Sequence, residues 1–265
     1  MSTLADNRAP VSPGQDSLAR SVAAAGIDVE PVWFDEVAST NAVAMERAAE
    51  GAPEWTVIAA GHQTAGRGRQ GRSWADAPGR SLLVSVVLRP RVEPERAPLL
   101  SLLAATAMVG ASGVPAVRSK WPNDVVAGDR KLGGILAEAE VRSGVVAHAV
   151  VGVGVNVATE ARDFPDDLRD SATSLRAEGG DGDVDALLTR FLAAFRRAHA
   201  EAFPDRVVER YAEVCSTLGR RVRATTADGA EVEGTAVELD ERGGLVLDTL
   251  DGPRVVAFGE VHHLR

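Results

Sequence analysis

One cysteine, Cys215, stands in a chain of 265 residues. A lone thiol closes no internal disulfide, and a cysteine-built zinc site is excluded. The expected setting is reducing and cytoplasmic. Bases are also short: 29 Lys and Arg against 38 Asp and Glu give a net charge of -9. Proteins that bind nucleic acid generally neutralise phosphates with excess cations, so no specific DNA binding is expected. Long apolar runs are missing. The longest, LLSLLAATAMVGA at 99–111, includes a serine and several small residues. It falls short of the roughly 20 apolar residues that span a bilayer, so no membrane association is expected. The opening residues, MSTLADNRAPVSPGQDS, have neither a basic start nor an apolar core, so no secretory signal is expected. There is no GxSxG, and Cys215 has no histidine near it in sequence, so covalent nucleophilic catalysis has little support. His148, His262 and His263 make no metal-ligand cluster, and no protein-bound metal is expected. What is present is ordinary: 45% hydrophobic and 25% charged residues describe a globular protein. The length fits one large domain, or a large one with a small one.

Residues 1–16 are polar and rich in Pro and Ser, and read as a disordered tail. A short helix is expected from Ser17 to Ala25, closed by Gly26. PVWFDEV (31–37) and WTVIAAG (55–61) read as strands flanking a helix at 39–51, which Ser39 or Thr40 can cap and Gly51 ends. SLLVSVVLRP (81–90) is continuously apolar and strand-length, so it is expected to be buried on both faces. An Ala/Leu-rich helix at 97–111 follows. Residues 117–141 read as strand, turn, strand, with AGDRK (127–131) as the hairpin, and 145–157 as another apolar strand. Residues 158–183 read as an acidic surface loop. From Asp185, Leu187, Leu188, Phe191, Leu192 and Phe195 recur at helical spacing, and a second helix is expected near 206–215. The texture then changes to short strands separated by ADG, ERGG and DGP, the pattern of a small β-barrel. The expected division is 1–16 tail, 17–216 catalytic domain and 217–265 barrel.

The chemistry concentrates in a few segments. GRGRQGRSW (66–74) stacks three arginines on three glycines, and no acid occurs between Trp55 and Ala75. A local cationic patch on an acidic chain points to a small anionic ligand. Arginine forks match phosphate or carboxylate oxygens, and glycines let backbone approach them. Gly66, Gly68 and Gly71 also fit GxGxxG, but the dinucleotide fingerprint needs a helix next and an acid about 20 residues on; neither is present. KWPNDV (120–125) and KLGG (131–134) form a second pair. If their strands make a hairpin, Asp124 and Lys131 face each other across the ladder, as a reactive pair or a surface ion pair. Trp121-Pro122 can equally be core and turn. Ser39-Thr40-Asn41 offers hydroxyls and an amide at a helix start, where a plain cap is the simpler role. GVGVN (152–156) ends an apolar strand on Asn156, a turn residue or a ligand contact.

In this order after STN, the segments GRGRQGRSW, KWPNDV, KLGGIL and GVGVN closely resemble the biotin–protein ligase family, over about residues 31–265. Gln70 stands where many relatives carry another base. Some relatives begin with a winged-helix DNA-binding domain; thirty residues precede Pro31 here, so a repressor role is not expected. The resemblance implies an α/β catalytic domain on a mixed sheet followed by an SH3-like barrel. It implies that biotin and ATP, with Mg²⁺ carried by the nucleotide, give biotinyl-5′-AMP and pyrophosphate, and that biotin then passes to a lysine of a biotin carboxyl carrier domain of acyl-CoA carboxylases. Carried over residue by residue, Ser39, Thr40, Asn41 and Gln63 line the biotin head-group site, with Gly66, Arg67, Gly68 and Arg69 against it and Gly133 and Gly134 making room. Arg67, Arg69, Arg72, Trp74, Asn123, Lys131 and Asn156 face the nucleotide, Trp74 against adenine. Lys131, Arg67, Arg69 and Asp124 are the implied catalytic set, with Lys131 touching carboxylate and phosphate. Asp124 orients either the incoming lysine amine or Lys131. The competing readings are a lipoate or octanoate ligase or transferase on the same fold, and a non-enzymatic biotin-responsive regulator.

Overall fold

The computed structural model describes residues 13–226, 229–257 and 259–264. Its centre is β3 (Ser81–Leu88), every residue of which is buried. The run SLLVSVVL has no polar face, so both faces must be covered. It is the third of seven strands in the order β1-β2-β3-β7-β6-β5-β4: Val32–Phe34, Val57–Ala60, β3, Val145–Asn156, Arg130–Arg142, Asp124–Ala127 and Val117–Lys120. The β1–β2 pair is parallel and the other ladders are antiparallel, so the sheet is mixed. Helix α2 (Thr40–Ala49) packs on one face through a small cluster of Ala44, Ala48, Ile58, Val87 and Val150. The other face carries the main core under α3 (Leu99–Ser112) and α4 (Val184–Ala202). Asp183 caps α4 by accepting a 3.0 Å bond from Ala186 N–H, and Phe191 and Phe195 stack in the core below it.

Helix α1 (Pro13–Ala24) starts before the Ser17 expected from composition, so residues 13–16 are helix and not tail. A proline suits a first helical turn because its missing N–H is one of the groups left unbonded there. The Gln15 side chain also ties this turn to the sheet, accepting from Trp33 N–H at 2.8 Å and donating to Pro31 C=O at 2.9 Å. The rest of the expected tail, 1–12, lies outside the described residues. The 117–141 segment holds three strands where two were expected, because Trp121–Asn123 is a turn between β4 and β5. No helix among the described residues is long and apolar enough to cross a membrane.

A short helix α5 (Val207–Ala212) leads to five antiparallel strands: β8 (Arg221–Thr226), β9 (Glu231–Leu239), β10 (Leu245–Thr249), β11 (Gly252–Val256) and β12 (Gly259–His263). Their order is β11-β10-β9-β8-β12, so among the described residues no ladder closes the sheet. Yet β11 and β12 are consecutive in the chain and lie at opposite edges. Three peptide units from Val256 to Gly259 span at most about 11 Å, whereas the edges of a flat five-stranded sheet lie about 19 Å apart. The sheet must therefore curl so that its two edges approach each other, the curvature of an SH3-like barrel that no ladder among the described residues closes.

This barrel is bolted to the turn after β4. Trp121 is 2% exposed, its indole N–H donates to Gly243 C=O at 2.9 Å, and its backbone N–H donates to Thr217 Oγ1 at 3.0 Å. His263 closes the same seam, with Nε2 3.2 Å from Thr217 Oγ1. Burial, then the Lys120 and Arg220 cations, push His263 down to about 4, against the weaker opposing field of Asp129. It is neutral in the fold at pH 7, while an unfolded histidine takes its proton near 6.5. The unfolded state therefore binds more protons, and stability falls as pH drops from about 6.5 to about 4. His263→Gln is expected to make that acid loss shallower, read as urea midpoints between pH 7 and pH 4; an unchanged slope would remove His263 as a cause.

Candidate active site

The Arg/Gly segment is a hairpin folded over the end of the sheet. Arg72 N–H donates to Arg69 C=O at 3.1 Å around two left-handed residues, Gln70 (φ 55°) and Gly71 (φ 74°), a type I′ arrangement. Gly68 N–H donates to Arg72 C=O at 2.7 Å and Trp74 N–H to Gly66 C=O at 2.9 Å. A Cβ on Gly66 would sit 2.7 Å from Trp74 O, so this glycine permits the fold-back. Each arginine leaves in a different direction. Arg67 donates to Glu138 Oε2 on β6 at 3.0 Å. Arg69 reaches Asn123 Oδ1 at 3.3 Å and Gly259 C=O at 3.2 Å. Arg72 pairs with Glu260 on β12. Burial pulls the Arg69 pKa below the usual arginine value, yet a guanidinium stays charged in proteins.

Beneath the hairpin lies a cavity of about 290 Å³. Ser39, Thr40, Asn41, Gln63, Arg67, Gly68, Arg69, Arg72, Trp74, Asn123, Lys131, Gly134 and Asn156 all line it. Their strands reach the carboxyl ends of β2 and β7 and the start of β6, and α2 begins there. The Thr40 N–H and hydroxyl both donate to Gln63 Oε1, at 2.8 and 3.1 Å. Gln63 thus does the work expected of a Ser39 or Thr40 cap, and Ser39 makes no side-chain capping bond. Asn41 is spent inside the protein: Oδ1 accepts from Ser85 at 2.6 Å, and Nδ2 donates to Glu138 at 2.8 Å and Leu136 C=O at 3.2 Å.

Lys131 Nζ lies 2.7 Å from Asp124 Oδ1, but the two do not face each other across the ladder. A bulge between Val125 and Val126 pairs Asp124 with Gly134 and Val126 with Lys131. The extra residue tilts the lysine back toward the carboxylate, as bulges re-aim side chains. The 158–183 segment also grips Lys131: Ser171 C=O accepts from its N–H at 2.7 Å and its C=O accepts from Thr173 at 2.9 Å. Asn156 Nδ2 donates to Thr173 C=O at 3.1 Å, which joins that segment to the end of β7.

Three residues of the sequence-derived set do not line the cavity. Gly66 is buried under Trp74 backbone, and Asp124 stands at the rim on Lys131. Gly133 turns to β7, where a Cβ would meet Gly154 O at 2.7 Å; its missing side chain makes room for a strand. Gly134 alone of the two opens on the cavity. Other residues were not foreseen. A Cβ on Gly154 would lie 2.8 Å from the Trp74 ring, and one on Gly152 would lie 2.0 Å from Asn41 Oδ1. These glycines make the floor on which Trp74 and Asn41 rest; two glycines alternating in an apolar strand was the available signal. Among the described residues Trp74 Nε1 is buried without a hydrogen-bond partner. Phe164, Pro165 and Leu168 also line the cavity, and nothing in their acidic loop announced them. Among the described residues no group of three or more His, Cys, Asp or Glu is placed to hold a metal ion.

An α/β domain on a mixed sheet, closed by an arginine hairpin and followed by a small barrel, is the architecture of biotin protein ligases. The structure of the Aquifex aeolicus biotin protein ligase in complex with biotin and ATP superposes with a TM-score of 0.70 at 29% identity, over 89% of this chain and 98% of that one. Residues 33–156 match the biotin/lipoate A/B protein ligase family and residues 217–264 the biotin protein ligase C-terminal domain. The biotin–[acetyl-CoA-carboxylase] ligase of Mycobacterium tuberculosis is 37% identical over 246 residues, 87% of each chain. The bifunctional ligase/repressor BirA of Bacillus subtilis is 34% identical over 240 residues, 87% of this chain and 73% of that protein. The chain belongs to the biotin protein ligase family, whose general reaction is the activation and transfer of biotin.

Proposed function

We propose that the protein activates biotin with ATP to biotinyl-5′-AMP and passes the biotinyl group to a lysine of a biotin carboxyl carrier domain of an acyl-CoA carboxylase. The observation that carries this is one cavity lined by two unlike sets of groups. Ser39, Thr40, Gln63 and the Arg67–Gly68 segment offer short polar groups of both donor and acceptor kind, which suits a ureido ring. Trp74, Phe164 and Leu168 offer apolar surface for a nucleobase. Lys131 and the arginines lie along the cavity with them.

The first step brings the carboxylate to the α-phosphate, so two anions must meet. Mg²⁺ carried by the triphosphate would supply charge neutralisation there. Lys131, Arg67 and Arg69 supply the protein's share, aimed where charge develops. Orienting both substrates can provide about 7–11 kcal/mol of the barrier. The carboxylate oxygen attacks phosphorus and pyrophosphate leaves. The mixed anhydride is reactive, and the hairpin over the cavity keeps water away. In the second step the carrier lysine amine attacks the acyl carbon and AMP leaves. The 2.7 Å Asp124–Lys131 pair supports a role for Asp124 in positioning Lys131.

Pyrophosphate release with ATP and Mg²⁺ tests this directly, with biotin, lipoate and octanoate compared and biotinyl-AMP sought by mass spectrometry. Release with biotin alone is expected. Release with lipoate or octanoate and not biotin would move the protein to the sister activity; no release with any acid would overturn ligation.

A further inference from the structure

Among the described residues, Glu138 is the one carboxylate that bonds to both the arginine hairpin and the start of α2. Its Oε2 accepts from Arg67 at 3.0 Å and from Asn41 Nδ2 at 2.8 Å. Glu138 follows Gly134 and Leu136 at alternate positions of β6, so it shares the sheet face on which those two line the cavity. The Asn41 it holds is 4% exposed, with its amide spent on Ser85, Leu136 and Glu138. Asn41 has no spare N–H for a ligand, so its work is to transmit position. Through it Glu138 fixes the first turn of α2, which carries Thr40; through Arg67 it fixes the backbone at Arg67 and Gly68. Both segments line the cavity with polar groups, and among the described residues no other acidic side chain bonds to both.

We infer that Glu138 is a positioning residue that sets these two segments before the substrate arrives. The inference rests on the ligase reading above for its substrate, but not for the hold on the hairpin. A group that presets a binding wall contributes equally to ground state and transition state, so its loss raises KM and spares kcat.

The test compares Glu138→Ala and Glu138→Gln with wild type in biotin-dependent pyrophosphate release, alongside trypsin cleavage of the unliganded protein after Arg67 and its neighbours. Glu138→Ala is expected to raise KM for biotin by about tenfold, with kcat changed less than about threefold. Glu138→Gln keeps an acceptor oxygen and should fall between. In the pair Glu138→Ala/Arg67→Ala the combined rise in KM should be smaller than the two single effects together, because both variants remove the Arg67–Glu138 contact. Trypsin should cut Glu138→Ala faster. A KM within twofold of wild type and unchanged cleavage would overturn the proposal, as would a lowered melting temperature with no split between KM and kcat. Should wild type release no pyrophosphate with biotin, the ligase reading fails, and the cleavage rates still decide whether Glu138 holds the hairpin.

Discussion

Lys131→Ala is expected to lower kcat for acyl-adenylate formation by about 10²–10³-fold, or about 2.7–4 kcal/mol, the size of one lost donor at a developing anion. The geometry concentrates the effect in the chemical step. The Lys131 backbone is pinned on both sides by Ser171 and Thr173, at 2.7 and 2.9 Å, so the strand cannot slide to bring another cation in. Its side chain passes over Gly134, where a Cβ would lie 3.7 Å from Nζ. Folding should barely notice the change. The Lys131 and Asp124 side chains are 40% and 27% exposed, and ion pairs this open are worth about 0–1 kcal/mol. Single-turnover adenylation, with circular dichroism melting beside it, separates the two. Activity within threefold of wild type would take Lys131 out of the mechanism.

The contrast between legible and hidden parts of the site follows the kind of contact each residue makes. GRGRQGRSW and KLGG announce themselves because charge on a glycine frame is unusual in an acidic chain, and the structure gathers their arginines and Lys131 on one cavity. The burial of β3 was readable from SLLVSVVL, six apolar residues and two small serines with no charge among them. What stayed hidden depends on register and long-range approach. The Asp124–Lys131 pair was foreseen, yet by way of a ladder that a bulge breaks. Gly133 and Gly134 look alike in sequence, but successive residues of a strand face opposite ways, so one meets Gly154 and the other the cavity. Phe164 and Leu168 come from a loop with no periodicity to read. Glu138 is hidden most thoroughly: two bonds to residues 71 and 97 positions away leave no local trace.

Trp121 illustrates the same division within a single motif, and it carries the largest expected loss of stability. Trp121→Ala should cost about 3–5 kcal/mol, as large-to-small changes in a core do, against a usual total of about 5–15 kcal/mol. Two losses combine. The ring is among the largest fully buried side chains, and its removal leaves a void between α3 and the barrel. The indole N–H is also the donor to Gly243 C=O at 2.9 Å, and a buried acceptor left alone costs about 1–3 kcal/mol. Gly243 cannot back away, because its turn presses on α3: a Cβ there would lie 2.6 Å from Leu102 Cδ1. Trp121→Phe should therefore recover the packing share and keep the hydrogen-bond loss. Urea midpoints for the three proteins measure both, and a loss under about 1 kcal/mol in the alanine variant would mean that the barrel docks without this ring. Activity should follow stability only in part. Asn123, two residues on, and Gly259 across the seam both hold Arg69, at 3.3 and 3.2 Å. Loosening the seam frees the hairpin arginine from both sides, so KM for ATP should rise in the fraction that stays folded. The tryptophan of KWPND is thus a core residue, as its size alone allows; because it holds the turn in place, the asparagine reaches the cavity and the aspartate stands at its rim on Lys131.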